Sequence, residues 1–268
     1  VYDGTPAATI SGPINLGNIV SGDKVTAACV SGAFADKNVG DHKTVILSGV
    51  SLSGDDKGNY SLVANSITSS ASITPATLTI AAQSASKPYD GNTSSSVAPT
   101  VSGLATGDSL LGVTQAYGSK NVLGTDGSTL QVAAGYTLSD GNGGGNYTVV
   151  TQTATGTITP KAITAALTGT TEKVYDGNST ATLTNANYAL TGLVTNDTVT
   201  VSGNGSYSDK NAGEAKPVTV NLSDLSLAGT DAGNYTLSST TGSITGKITP
   251  ATLYYTATPA SMIQGSAL

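Results

Sequence analysis

The 268 residues include no arginine and no tryptophan, a single cysteine, histidine, methionine and phenylalanine, and only 10% charged side chains. Each shortage removes a class of protein. Without arginine the bidentate contacts to phosphate and guanine are unavailable, and a net charge of −6 repels a polyanion, so no nucleic-acid partner is expected. Cys29 stands alone, which excludes an intrachain disulfide and a cysteine-rich zinc site. His42 is also alone, between Asp41 and Lys43, and reads as a solvated loop residue. A nucleophilic triad would have to be built on that one imidazole, in one part of the chain only. No enzymatic activity and no cofactor are therefore expected. No apolar run reaches the ~18 to 20 residues of a membrane span, no signal peptide opens the chain, and Val1 lies inside a motif. The chain is thus expected to be a segment of something longer.

What is present is glycine (33), threonine, serine, valine and alanine, with 12 tyrosines supplying the large apolar surface. Segments of four to eight residues, rich in β-branched side chains, end at Gly, Asn, Asp or Pro, which is a strand signal, and no i, i+3, i+4 stripe competes with it. In Lys216-Pro-Val-Thr-Val-Asn-Leu the alternation puts Val218, Val220 and Leu222 on one face, as a half-buried strand requires.

Self-comparison decides the organisation. Tyr2-Asp3-Gly4 recurs as Tyr89-Asp90-Gly91 and Tyr175-Asp176-Gly177, at spacings of 87 and 86 residues. Four further signatures keep that period. Gly22-Asp23 matches Gly107-Asp108 and Asn196-Asp197, and Lys37-Asn38-Val39-Gly40 matches Lys120-Asn121 and Lys210-Asn211-Ala212-Gly213. Asn59-Tyr60, Asn146-Tyr147 and Asn234-Tyr235 follow Gly-rich turns, and Ile-Thr-Pro closes each copy at Pro75, Pro160 and Pro250. The chain divides accordingly into an all-β tandem array of small β-sandwich, immunoglobulin-like modules, at 1–76, 77–161 and 162–250, with 251–268 as the opening strand of a fourth. The first module has no such opening strand, so an open sheet edge is expected there. The tail is expected to fold back along module three or to add to that edge in a neighbouring molecule.

These signatures resemble the Tyr-Asp-Gly repeat modules of filamentous-haemagglutinin-like bacterial adhesins over nearly the whole chain. The resemblance implies a very long polypeptide secreted to the surface of a Gram-negative bacterium through an outer-membrane secretion partner, with modules that form a stalk or attach to a host-cell or surface receptor or glycan. Copy two departs from the pattern, with Ser119 in place of Asp36 and Asp209, and Gly143-Gly144-Gly145 in its turn.

Each motif has a structural reading. In Tyr-Asp-Gly the Asp caps a turn, the Gly takes a positive φ and the Tyr packs inward. Tyr60, Tyr147 and Tyr235 read as equivalent core residues. Asp55, Asp56 and Asp231 lie in acidic turns that offer oxygen ligands to calcium, without the EF-hand spacing. Lys37, Lys120 and Lys210 could form an amide with Asp3, Asp90 and Asp176, or with Asp23, Asp108 and Asp197, provided that the amine were desolvated and neutral. Asn59, Asn146 and Asn234 head glycosylation sequons. Two functions follow: a stalk, whose tyrosines are buried or scattered, and a carbohydrate-binding array with Tyr117, Tyr188 or Tyr207 exposed as stacking platforms. In both, burial is expected to stay within each module.

Overall fold

A computed structural model describes residues 1–257 and Gly265. The backbone is strand and turn, and the helical elements among the described residues are three-residue 3-10 turns. The residues from 258 onward that were assigned to a fourth module, other than Gly265, lie outside the described part. The chain forms two compact units, Val1–Lys87 with Asn92–Thr157, and Pro88–Gly91 with the residues from Ile158 onward.

The second unit shows the repeat at its most complete. One sheet orders the strands Thr170–Val174, Ile244–Thr249, Gly213–Thr219, Gly205–Tyr207 and Thr180–Ala181. A second sheet places the opening strand Lys161–Leu167 between Tyr188–Thr191 and Tyr235–Thr241. Alternation drives the packing. Ile163, Ala165 and Leu167 point inward, and Ala165 and Leu167 share a core with Tyr188, Val201, Tyr207, Val218, Ile244 and Ile248. Gly246 has a packing reason, since a Cβ there would lie 2.4 Å from the Tyr207 ring. The expected face of Val218, Val220 and Leu222 ends early. Val218 is buried and Val220 packs against the core, but the chain turns at Leu222–Asp224 and Leu222 is exposed.

In the first unit, repeat two follows the same plan. Its opening strand Ala76–Ala81 pairs in parallel with Tyr147–Gln152, Tyr147 opposite Ala76, and antiparallel with Thr100–Ser102. Leu78 and Ile80 on that strand are completely buried. Repeat one has a four-stranded sheet of Ala7–Ala8, Ser31–Phe34, Gly40–Ser48 and Ser66–Ile73, and a two-stranded pair of Thr26–Ala28 with Ser51–Ser53. With no opening strand beside it, the segment from Tyr60 to Asn65 forms no strand, whereas its counterparts Tyr147–Gln152 and Tyr235–Thr241 do. A lone extended segment has unpaired backbone groups and gains nothing by staying extended.

Burial is not confined to single repeats. Tyr2, Phe34, Val39 and Ile73 of repeat one pack in one apolar cluster with Leu78, Leu104, Ala105, Leu110, Leu138, Tyr147 and Val149 of repeat two. This corrects the expectation of self-contained cores. The two residues between Ile73 and Ala76, Thr74 and Pro75, leave no slack for a linker, so the end of one repeat and the start of the next desolvate each other.

Candidate functional site

The signature residues meet at this joint. Asp108 lies on the loop that leads into strand Ser109–Leu111, and its side chain is only 1% exposed. One carboxylate oxygen accepts the hydroxyls of Tyr2 and Tyr147, each at 2.7 Å. The other accepts the Lys37 ammonium at 2.8 Å. The two tyrosine rings meet edge to face with centroids 5.3 Å apart, and the Lys37 ammonium sits 5.5 Å from the Tyr2 ring centroid. Beside this knot the amide of Val39 donates to Asn146 Oδ1 at 2.9 Å, and Asn146 Nδ2 donates to Asn38 Oδ1 at 3.2 Å. Tyr-Asp-Gly and Lys-Asn-Val-Gly of repeat one thus close on Gly-Asp and Asn-Tyr of repeat two.

Burial pushes the Asp108 carboxyl up, but the hydrogen bonds from Lys37, Tyr147 and Tyr2 outweigh it and hold the group below its ordinary value. The Lys37 amine is pushed up, first by its bond to Asp108 and then by Tyr2. Burial, helped by the Asp108 carboxylate, raises the Tyr147 hydroxyl to about 12. At neutral pH the knot is therefore an ion pair clasped by two neutral phenols, whose partly desolvated bonds are stronger than surface ones.

The second unit repeats the core of this arrangement. Tyr89 and Tyr235 donate to the same oxygen of Asp197, at 2.8 and 2.5 Å, with ring centroids 5.4 Å apart. In all three repeats an amide on the preceding loop donates to the Asn-Tyr hydroxyl: Val20 to Tyr60, Ala105 to Tyr147 and Val194 to Tyr235, at 2.9, 2.8 and 2.9 Å. Tyr60 donates to Asp23 at 2.7 Å. Tyr147 and Tyr235 are buried but Tyr60 is only half-buried, which corrects their expected equivalence. Two things that cover Tyr147 have no counterpart around Tyr60, namely the opening strand and the ring of Tyr2.

The Tyr-Asp-Gly triplets share a positive-φ glycine, but their tyrosines do not all pack inward. Gly4, Gly91 and Gly177 have φ of 87°, 81° and 83°. Asp3 accepts the Thr5 amide and hydroxyl, and Asp176 accepts the Asn178 amide. Tyr2 and Tyr89 are buried, and Tyr175 is 38% exposed. The glycine is also a contact point, since a Cβ on Gly4 would lie 3.1 Å from Ala105 Cβ and from Thr106 O, and one on Gly91 would lie 2.6 Å from Val194. Gly177 has nothing within 4 Å.

Other candidates resolve differently. Of the suggested cross-link pairs, the geometry joins Lys37 to Asp108 as an ion pair, in protonation states opposite to those amide formation needs. Lys210 is exposed with no partner among the described residues, and Asp176 is taken by Lys173. Asp56 and Asp231 accept the amides of Lys24 and Thr198 and so pin their turns to the neighbouring strand. Asp55 lies 4.0 Å from Lys24. No cluster of three metal-ligating groups occurs among the described residues. Asn146 and Asn234 are buried and bonded in the fold, so only Asn59 of the three sequons is exposed. Tyr117, Tyr188 and Tyr207, named as sugar platforms, are all buried, because each fills the core of its own repeat.

Sequence reasoning missed Asp140, Lys87 and Lys173. Asp140 is 1% exposed and accepts the amides of Asn142, Gly144 and Asn146, which lets a turn of three glycines hold one shape. Lys87 and Lys173 bind the backbone and side-chain oxygens of Asn92 and Asn178. Their signal was a lysine two residues before Tyr-Asp-Gly, a position that precedes Val1 in copy one.

A sequence model of the YDG domain matches residues 1–69, 74–155 and 159–242, and the chain belongs to that family of repeat domains. No curated protein and no solved structure matches the chain.

Proposed function

We propose that the chain is a structural stalk segment of a large secreted bacterial surface adhesin, without enzymatic activity, in which immunoglobulin-like repeats transmit force through interlocked joints. The observation that carries this reading is the Asp108 knot. The residues that recur from repeat to repeat include those that join one repeat to the next. A joint made of an ion pair, two buried phenols and a shared apolar cluster resists bending in a way that a flexible linker cannot. The parallel pairing of the opening strand with the next-to-last strand in repeats two and three supports the immunoglobulin-like reading. The buried state of Tyr117, Tyr188 and Tyr207 weighs against the sugar-binding reading that used them as stacking platforms.

Two measurements test the proposal. Antibodies raised against the chain should label intact cells of the source bacterium. Pulling single molecules should show repeats one and two unfolding in a correlated step that Asp108→Ala separates into two. Absence of surface labelling would refute the location, and independent unfolding of the first two repeats in the unaltered chain would refute the mechanical role.

A further inference from the structure

Cys29 is the one cysteine, so no disulfide within the chain can join its repeats, yet each Tyr-Asp-Tyr knot holds two phenols against each other. Tyr2 and Tyr147 donate to the same oxygen of Asp108, and their rings meet edge to face with centroids 5.3 Å apart and planes at 78°. Tyr89 and Tyr235 share one oxygen of Asp197 in the same way, at 5.4 Å and 76°. Burying a tyrosine requires none of this. Tyr188 and Tyr207 are also buried, and each hydroxyl is satisfied by one backbone carbonyl, of Gly203 and of Lys247.

A carboxylate bonded to a phenol is the base that the phenol needs in order to lose an electron. The proton leaves with the electron, and no radical cation has to form in a desolvated place. In the resulting radical the unpaired spin is shared between the oxygen and the ring carbons next to it. One acceptor atom common to both hydroxyls holds the two phenol oxygens together, and with them those neighbouring carbons. At a centroid separation of 5.3 Å the edge of one ring lies about 4 Å from the centre of the other, close to the ~3 to 3.5 Å of a near-attack arrangement.

We propose that each knot is a site of oxidative cross-linking, where a one-electron oxidant fed by peroxide or persulfate joins Tyr2 to Tyr147 and Tyr89 to Tyr235 by a carbon–carbon bond beside the hydroxyls. Each phenol gives one electron to the oxidant and its hydroxyl proton to the shared carboxylate, which passes the proton to water. The two radicals couple, and the hydrogen on each coupled carbon shifts to its own oxygen as the ring regains aromaticity. A link thus releases two electrons and two protons, and one persulfate takes up the electrons to become two sulfates. The product staples the start of one repeat to the next at the joint that Asp108 or Asp197 holds. This goes beyond the stalk reading and stands whether or not the chain is displayed on a cell.

Brief illumination of the dilute full chain with ruthenium(II) tris-bipyridyl and persulfate, followed by proteolysis and mass spectrometry, tests the site. The monomer should lose two hydrogens for each link, and the linked peptides should pair Tyr2 with Tyr147 and Tyr89 with Tyr235. Tyr2→Phe keeps the ring and its packing, and should abolish the first link while the second forms as before. Asp108→Asn keeps the volume but is no base, and should lower the yield of the first link about tenfold relative to the second. Unfolding in urea should remove the preference for both pairs. Exposed Tyr175 and Tyr254 are the readier targets of an oxidant that meets no built site. Links confined to such exposed tyrosines, no link at all, oxygen added to Tyr2 and Tyr147 without a link, or a first link indifferent to Asp108→Asn would overturn the proposal.

Discussion

Replacing Asp108 is the most direct test of the joint. Its carboxylate is buried and serves three donors, Tyr2, Tyr147 and Lys37. Hydrogen bonds to a charged group contribute about 1.5 to 3 kcal/mol each, but these three share one acceptor and do not add. In Asp108→Ala both phenols lose their acceptor, while the Lys37 ammonium can turn to water because its side chain is 31% exposed. The expected loss is therefore about 3 kcal/mol, near the lower end for a broken buried pair. Asp108→Asn preserves the volume. Its amide cannot serve as acceptor for both the ammonium and the phenols, so about 2 kcal/mol should still be lost. Hydrogen exchange gives the readout by residue. The amides of Val39 and Ala105, which donate to Asn146 and Tyr147, should exchange about a hundredfold faster in Asp108→Ala. The amide of Val194, which donates to Tyr235 in the second unit, should not change. Unaltered protection at Val39 and Ala105, or an equal loss at Val194, would refute the idea that Asp108 holds this joint in particular.

Tyr147→Ala should cost about 3 to 5 kcal/mol in chemical denaturation, and Tyr60→Ala distinctly less, because Tyr60 is half-buried; equal midpoints would contradict the stated difference in burial. The joint should be stable over a broad pH window. Asp108 has its folded value below its unfolded one, so its contribution is present above about pH 4 and is lost as the pH falls further. Tyr147, raised from 10.0 to about 12, contributes fully below pH 10.0 and loses that contribution as the pH climbs toward 12. Circular dichroism melts across pH should show that plateau, and a maximum confined to mildly acidic pH would be inconsistent with it. Gly177→Ala should cost only about 1 to 2 kcal/mol for a left-handed alanine, whereas Gly91→Ala, with the same φ, adds a clash with Val194 and should cost more. Thermal melts of the two variants decide the order.

Much of this protein was legible in its sequence, because a repeat is a comparison the chain makes with itself. Strand character followed from β-branched runs and glycine turns, and the threefold recurrence of Tyr-Asp-Gly, Lys-Asn, Asn-Tyr and the aspartate at Asp23, Asp108 and Asp197 marked the residues that matter. The turn geometry of Asp3 and Gly4 was readable because it depends on neighbours in the chain. What the signatures do together was not readable. Tyr2 and Asp108 are far apart in sequence, and a residue recurring once per repeat looks the same whether it serves its own repeat or the next. Only the packed structure shows that Tyr2 and Lys37 leave their own repeat to satisfy a buried carboxylate in the following one. It also shows that Tyr60, which shares the Gly-Asn-Tyr motif with Tyr147, stays half-buried for want of an opening strand and a neighbouring ring. Burial and charge pairing are set by whatever the fold brings alongside, and only local conformation is written in the order of the residues.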